Sequence, residues 1–154
     1  MQIPKLIIPK KVWQCLIKDL KVKGEGKRES GAFLLGTDNN ITEYICYDTL
    51  YSKSFESGII EFESIGYIPL WEYCKRNKLK VLADVHTHPY QWTGQSTLDK
   101  EHPMITEVGH FGLIVPQYAS KRNQDLTGVG IYEYLGKYKW RTWKTESGIL
   151  TIKS

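Results

Sequence analysis

Leu79-Lys80-Val81-Leu82-Ala83-Asp84-Val85-His86-Thr87-His88-Pro89 is the stretch on which the fold turns. Its apolar, β-branched run reads as a central strand, and Pro89, which cannot donate to a ladder, ends it. Period two puts Leu82, Asp84, His86 and His88 on one face and Val81, Ala83, Val85 and Thr87 on the other. The two histidines therefore project together, as a pair of ligands would.

Working outward, Val12, Trp13, Leu16, Ile17 and Leu20 repeat at helical spacing after Pro9, with Gly24 as a stop. Ala32-Phe33-Leu34-Leu35, ending at Gly36, reads as a buried strand. Asp38-Asn39-Asn40 is turn chemistry, and residues 41–47 form the second arm of a hairpin. Residues 58–62 suggest a weaker strand. Ser64 is placed to cap a helix running to Arg76, with Ile68, Trp71 and Tyr73 or Cys74 facing the core. Beyond Pro89, residues 90–95 are a loop, and Ser96 caps a short helix over residues 97–101. Residues 111–115 are a further strand. Residues 128–135 and 139–143 make a closing hairpin around Gly136-Lys137, where Tyr132, Tyr134, Tyr138, Trp140 and Trp143 pack across strands. Helix, strands, helix and more strands predict one α/β (α+β) domain over residues 1–154, a mixed sheet flanked by helices.

The 154 residues suffice for one real core, and 41% hydrophobic with 25% charged residues is ordinary for a globular domain. No apolar run approaches the roughly 20 residues of a membrane span, and no signal peptide is read at the N-terminus, so a cytoplasmic location is expected. Cys15, Cys46 and Cys74 form no Cys-x-x-Cys pair and are expected to be small buried hydrophobes rather than disulfides. A net charge of +4 is modest, so a solvated surface explains it better than nucleic acid does. The oligomeric state is not encoded in any readable pattern.

The chemistry lies in spacing. After His88 come ten residues and then Asp99 at the start of the short helix, where the chain can fold back to the strand end. Two imidazoles and a carboxylate suit Zn2+, and three protein ligands leave a position open, as in a catalytic rather than a structural site. Hydrolysis also needs a proton carrier. Glu29, entering the buried strand at Ser30-Gly31-Ala32, is one choice, with Glu25, Glu61 and Glu107 as rivals. Ser96 precedes Asp99 by three residues, one helical turn. It is either an oxyanion donor or a plain helix cap. Asp84 can accept a hydrogen bond from a ligand imidazole, or serve elsewhere in the sheet. Trp92, in the loop between His88 and Ser96, is a candidate substrate contact. His102 and His110 are read as surface or packing residues, with His102 also near enough in sequence to line the site.

Glu29 with Ser30 to Gly36, His86-Thr87-His88-Pro89, and Ser96-Thr97-Leu98-Asp99 together resemble the signature of the JAMM/MPN-plus metalloprotease family. The match covers residues 5–143. The resemblance implies a cytidine-deaminase-like MPN/JAB fold with a mainly antiparallel, curved sheet. It implies one Zn2+ on His86, His88 and Asp99. It gives Glu29 the activation of water and the protonation of the leaving amine, and Ser96 the oxyanion. The implied activity is a peptidase or isopeptidase cleaving after the C-terminus of a ubiquitin-like protein. The short form looks most like bacterial members found beside ubiquitin-like, activating and conjugating proteins, some in antiphage defence. Residues 54–62 are a candidate substrate groove. The rival readings are an inactive MPN scaffold, a DNA-repair-associated His-x-His protein and a small-molecule amidase. Retention of all five site residues speaks against a scaffold.

Overall fold

The computed structural model describes residues 3–51, 62–120 and 125–154. All but Phe62 of the weaker strand expected at 58–62 and of the candidate groove at 54–62, Glu61 included, lies outside them. The chain runs β1 (Leu6–Pro9), α1 (Lys10–Gly24), β2 (Gly31–Thr37), β3 (Asn40–Cys46), α2 (Tyr47–Leu50), α3 (Tyr67–Asn77), β4 (Lys80–Thr87), α4 (Thr97–Glu101), β5 (Phe111–Val115), β6 (Gly130–Gly136), β7 (Lys139–Trp143) and β8 (Leu150–Lys153). The strands form one mixed sheet in the order β7-β6-β5-β4-β2-β3-β1-β8. Four of its pairings are antiparallel (β2–β3, β2–β4, β5–β6, β6–β7), and three are parallel (β1–β3, β1–β8, β4–β5).

β2 and β4 lie at the middle, and their burial follows from what covers each face. Ala32 and Leu34 join Trp13, Leu16, Ile17 and Leu20 of α1 in one core, whereas Phe33 and Leu35 join Tyr47, Leu70 and Cys74 in the other. Each buried aliphatic side chain contributes on the order of 1.5–3 kcal/mol by leaving water. α1 ends as Glu25 turns left-handed, its N–H closing on the Lys21 carbonyl. Among the described residues, no helix is long and apolar enough to cross a membrane.

Three expectations need correction. Leu82 does not share a face with Asp84: the β2–β4 register slips between Leu34↔Ala83 and Leu35↔Val81. The extra residue is a bulge, which turns Leu82 toward the α1 core and Val81 toward the opposite one. In α3, Leu70 and Cys74 are buried, while Ile68 and Trp71 stand exposed. A 3-10 turn at Ser64–Gly66 precedes the helix, so its phase differs from one starting at Ser64. Cys15 is exposed, unlike Cys46 and Cys74. β1 and β8, absent from the sequence reading, pair with each other at the sheet edge.

Gly31 stands opposite His86 in the β2–β4 ladder. A Cβ there would come within 2.3 Å of the Tyr47 ring and 2.7 Å of the Val85 carbonyl oxygen. Gly31→Ala is therefore expected to cost about 1–3 kcal/mol through overpacking. Urea unfolding should show a lower midpoint at unchanged slope, and an unchanged midpoint would contradict this packing.

Candidate metal centre

Three separate segments are pinned together to build the site. The first is the entry to β2. Ser30 is fully buried; its hydroxyl donates to the Leu20 carbonyl at the end of α1 (2.7 Å), and its N–H donates to Thr87 Oγ1 (2.9 Å). The Thr87 N–H returns a bond to the Ser30 carbonyl at 2.9 Å. Glu29, next in the chain, is thus fixed against the end of β4.

The second segment is that strand end. His86 lies within β4, and His88 just past it donates its N–H to the Val115 carbonyl of β5 (2.9 Å). The His88 carbonyl accepts from the Tyr118 N–H at 2.8 Å, and the Tyr90 carbonyl from the Gln117 N–H at 2.9 Å. Gln117, Tyr118 and Ala119 all have positive φ, between 54° and 58°. Three consecutive non-glycine residues in this region cost energy, so the surrounding structure must hold them there. The indole of Trp92 stacks on the His88 ring at 5.7 Å, and the Trp92 carbonyl lies 3.4 Å from His88 Nδ1.

The third segment is α4. The Ser96 N–H donates to Asp99 Oδ2 (2.9 Å) and the Asp99 N–H donates to Ser96 Oγ (3.1 Å), a reciprocal capping box. The box that starts the helix also orients the carboxylate. Tyr132 of β6 and Trp140 of β7 brace this region, donating to the Thr93 and Lys100 carbonyls at 2.6 and 3.1 Å.

The result is a compact triangle. His86 Nε2 and His88 Nε2 are 3.1 Å apart; His86 Nε2 is 3.3 Å from Asp99 Oδ1, and His88 Nε2 is 3.2 Å from Asp99 Oδ2. Ligand atoms about 2.0–2.1 Å from a tetrahedral zinc stand about 3.3–3.4 Å from one another. The donor set and its spacing therefore fit the ion. Burial disfavours the charged form of Asp99, yet hydrogen bonds from His86 and His88 hold its carboxyl well below the usual carboxylate range. Burial likewise opposes charge on His86, but Asp99, with smaller contributions from Asp84 and Glu29, raises its pKa.

The triangle lines a cleft of about 830 Å³ that Glu29, Ser96, Trp92, Asp84 and His102 also line. Glu25 and Glu107 are exposed and take no part in it. Asp84 is bonded to His110, Oδ2 to Nε2 at 2.6 Å, within the buried sheet. Sequence reasoning placed His110 at the surface or in packing, and missed this partnership because strand pairing alone brings residues 84 and 110 together. It also missed Tyr47, Tyr67 and Met104 as cleft residues. Only their apolar character was legible, and that equally describes core.

No protein-family description matches the chain. Among solved structures, a protein of Desulfitobacterium hafniense superposes with a TM-score of 0.65 at 14% identity, covering 96% of this chain and 92% of that one. A JAB1/MPN domain protein from Archaeoglobus fulgidus gives 0.52 at 19% identity, covering 96% and 98%. A structure described as a JAMM, a metalloprotease-like zinc site in the proteasome and signalosome, gives 0.50 at 16%, covering 98% and 100%. The chain thus has the fold found in JAB1/MPN domain proteins, and it carries a His-His-Asp cluster fit for a metal ion.

Proposed function

We propose that the protein is a zinc-dependent peptidase of the JAMM type, releasing a ubiquitin-like protein by cleavage after its C-terminus, in deconjugation or precursor processing. The observation that carries the reading is the meeting of His86, His88 and Asp99 within one cleft that Glu29 and Ser96 also line. A zinc ion on the three ligands supplies a Lewis acid that polarises a scissile carbonyl and acidifies water.

The chain's own residues do the rest. Glu29 accepts a proton from the attacking water as the oxygen–carbon bond forms. It then delivers that proton to the nitrogen as the carbon–nitrogen bond breaks, so the amine leaves neutral. Ser96 Oγ accepts from the Asp99 N–H, which leaves its own hydrogen to donate to the developing oxyanion. The cap and the oxyanion contact are therefore compatible. The ubiquitin-like substrate, and activating and conjugating enzymes as partners, rest on the motif resemblance. A bacterial conjugation system, in antiphage defence or elsewhere, is the setting that resemblance suggests.

Three outcomes test the reading. The purified protein should contain one zinc and cleave a ubiquitin-like protein fused at its C-terminus to a reporter, and Glu29→Gln should keep the zinc while losing about 10²–10⁴-fold in rate. Full activity in Glu29→Gln would assign the proton transfer elsewhere, and an absence of both zinc and cleavage would favour a scaffold. His88→Ala should lose the metal, as read by elemental analysis after dialysis; full occupancy would remove His88 as a ligand. Because zinc ligation needs neutral imidazoles and the His86 pKa is raised, protons compete already above the ordinary histidine value of about 6.5. Zinc affinity, measured by chelator competition, should weaken from pH 8 down to pH 6, and a flat profile would contradict the ligand set.

A further inference from the structure

The cleft extends well past the three ligands, and its far part has no role in the chemistry above. Asp84 and His86 share a face of β4 two residues apart, which spaces their Cα atoms about 7 Å along the strand. Its side chain is 7% exposed, opening to the cleft it lines. Gly112 and Tyr132 continue the same cross-strand row on β5 and β6. His110 holds Oδ2. Over Oδ1 the sheet carries no side chain: a Cβ on Gly112 would stand 3.9 Å from Oδ1 and 3.7 Å from the Trp140 ring. Beside it, the fully buried Tyr47 has a hydroxyl with no hydrogen-bond partner among the described residues.

The walls are aromatic. Tyr47, Phe62 and Tyr67 form one cluster, with ring centroids 5.3 Å (Tyr47–Phe62) and 4.9 Å (Phe62–Tyr67) apart, and Trp140 is also in the lining. Although the chain is net basic, the lining formed by the described residues includes three carboxylates (Glu29, Asp84 and Asp99) and, among those residues, neither lysine nor arginine. Two of those carboxylates belong to the metal end. A buried carboxylate oxygen beside aromatic faces and an unpartnered hydroxyl matches a cation on an apolar stem: the carboxylate takes the charged N–H, and the rings take the stem and the cation's face.

We propose that this end of the cleft is a specificity subsite for a basic side chain, arginine or lysine, of the substrate, received by Asp84 between Tyr67 and Trp140. The word substrate rests on the peptidase reading, but binding at the subsite does not require cleavage. The test follows amide and indole resonances of the zinc-loaded protein during titration with Nα-acetyl-arginine amide, Nα-acetyl-norleucine amide and Nα-acetyl-glutamate amide. The arginine probe should shift the Gly112 amide and the Trp140 indole N–H and bind about tenfold more tightly than norleucine, with the glutamate probe inert. Asp84→Asn, which can keep a hydrogen bond to His110, should remove that preference, and Gly112→Val should block the probe by filling the space over Oδ1. Equal binding of arginine and norleucine, an unaltered preference in Asp84→Asn, or no shifts from the arginine probe would each overturn the subsite. If Asp84→Asn fails to fold, the probe preference of the unaltered protein and the effect of Gly112→Val decide the matter. Fusion cleavage without arginine binding sinks the subsite and leaves the peptidase; arginine binding without cleavage does the reverse.

Discussion

One carboxylate ties the molecule's chemistry to its fold. Asp99 faces both imidazoles at 3.2–3.3 Å while also accepting the N–H that begins its own helix. A carboxylate 19% exposed is costly to desolvate unless it is paired, and here it is paired on two sides. The surrounding structure can be understood as the means of keeping that convergence. β4 aims two histidines to one side, β5 and a left-handed turn anchor His88, and the capping box fixes Asp99 in the first turn of α4, where the helix dipole favours an anion. Ser30 draws Glu29 to the same corner through two buried hydrogen bonds.

The parts legible in the sequence are those governed by local rules. Helical spacing marked α1, apolar runs marked β2, β4 and β5, and proline and glycine marked their ends. The His-His-Asp cluster was legible because its residues lie within fourteen positions of one another, from His86 to Asp99, on elements whose direction follows from period two and a capping box. What escaped was long-range. β1 and β8 are four residues each, too short for a periodic signal, and they become strands by pairing across the whole length of the chain. The bulge at Leu82 arises from register with β2, so simple alternation put Leu82 on the wrong face. Ile68 and Trp71 were assigned inward because the 3-10 turn that sets the phase of α3 has no distinct sequence mark. The Asp84–His110 pair depends on the parallel alignment of β4 with β5.

The fold alone carries little functional weight, because one fold hosts many activities. Structures with this architecture share only 14–19% identity with the chain. The site is more specific. A His-His-Asp set fit for a metal ion, with a glutamate and a serine around the same cleft, is the basis of the hydrolytic reading proposed above. In the proposed subsite the rest of that cleft bears on selectivity, since Asp84 stands on the same strand face as the first histidine and two residues along from it.

The central claim is that His86, His88 and Asp99 hold one catalytic zinc. It is tested most directly by anomalous diffraction at the zinc edge from crystals of the purified protein. The account predicts a single strong peak about 2.0–2.2 Å from His86 Nε2, His88 Nε2 and one Asp99 oxygen, with no fourth protein ligand. A peak held by other residues, a fourth side chain closing the coordination, or no zinc in a zinc-supplemented crystal would contradict it.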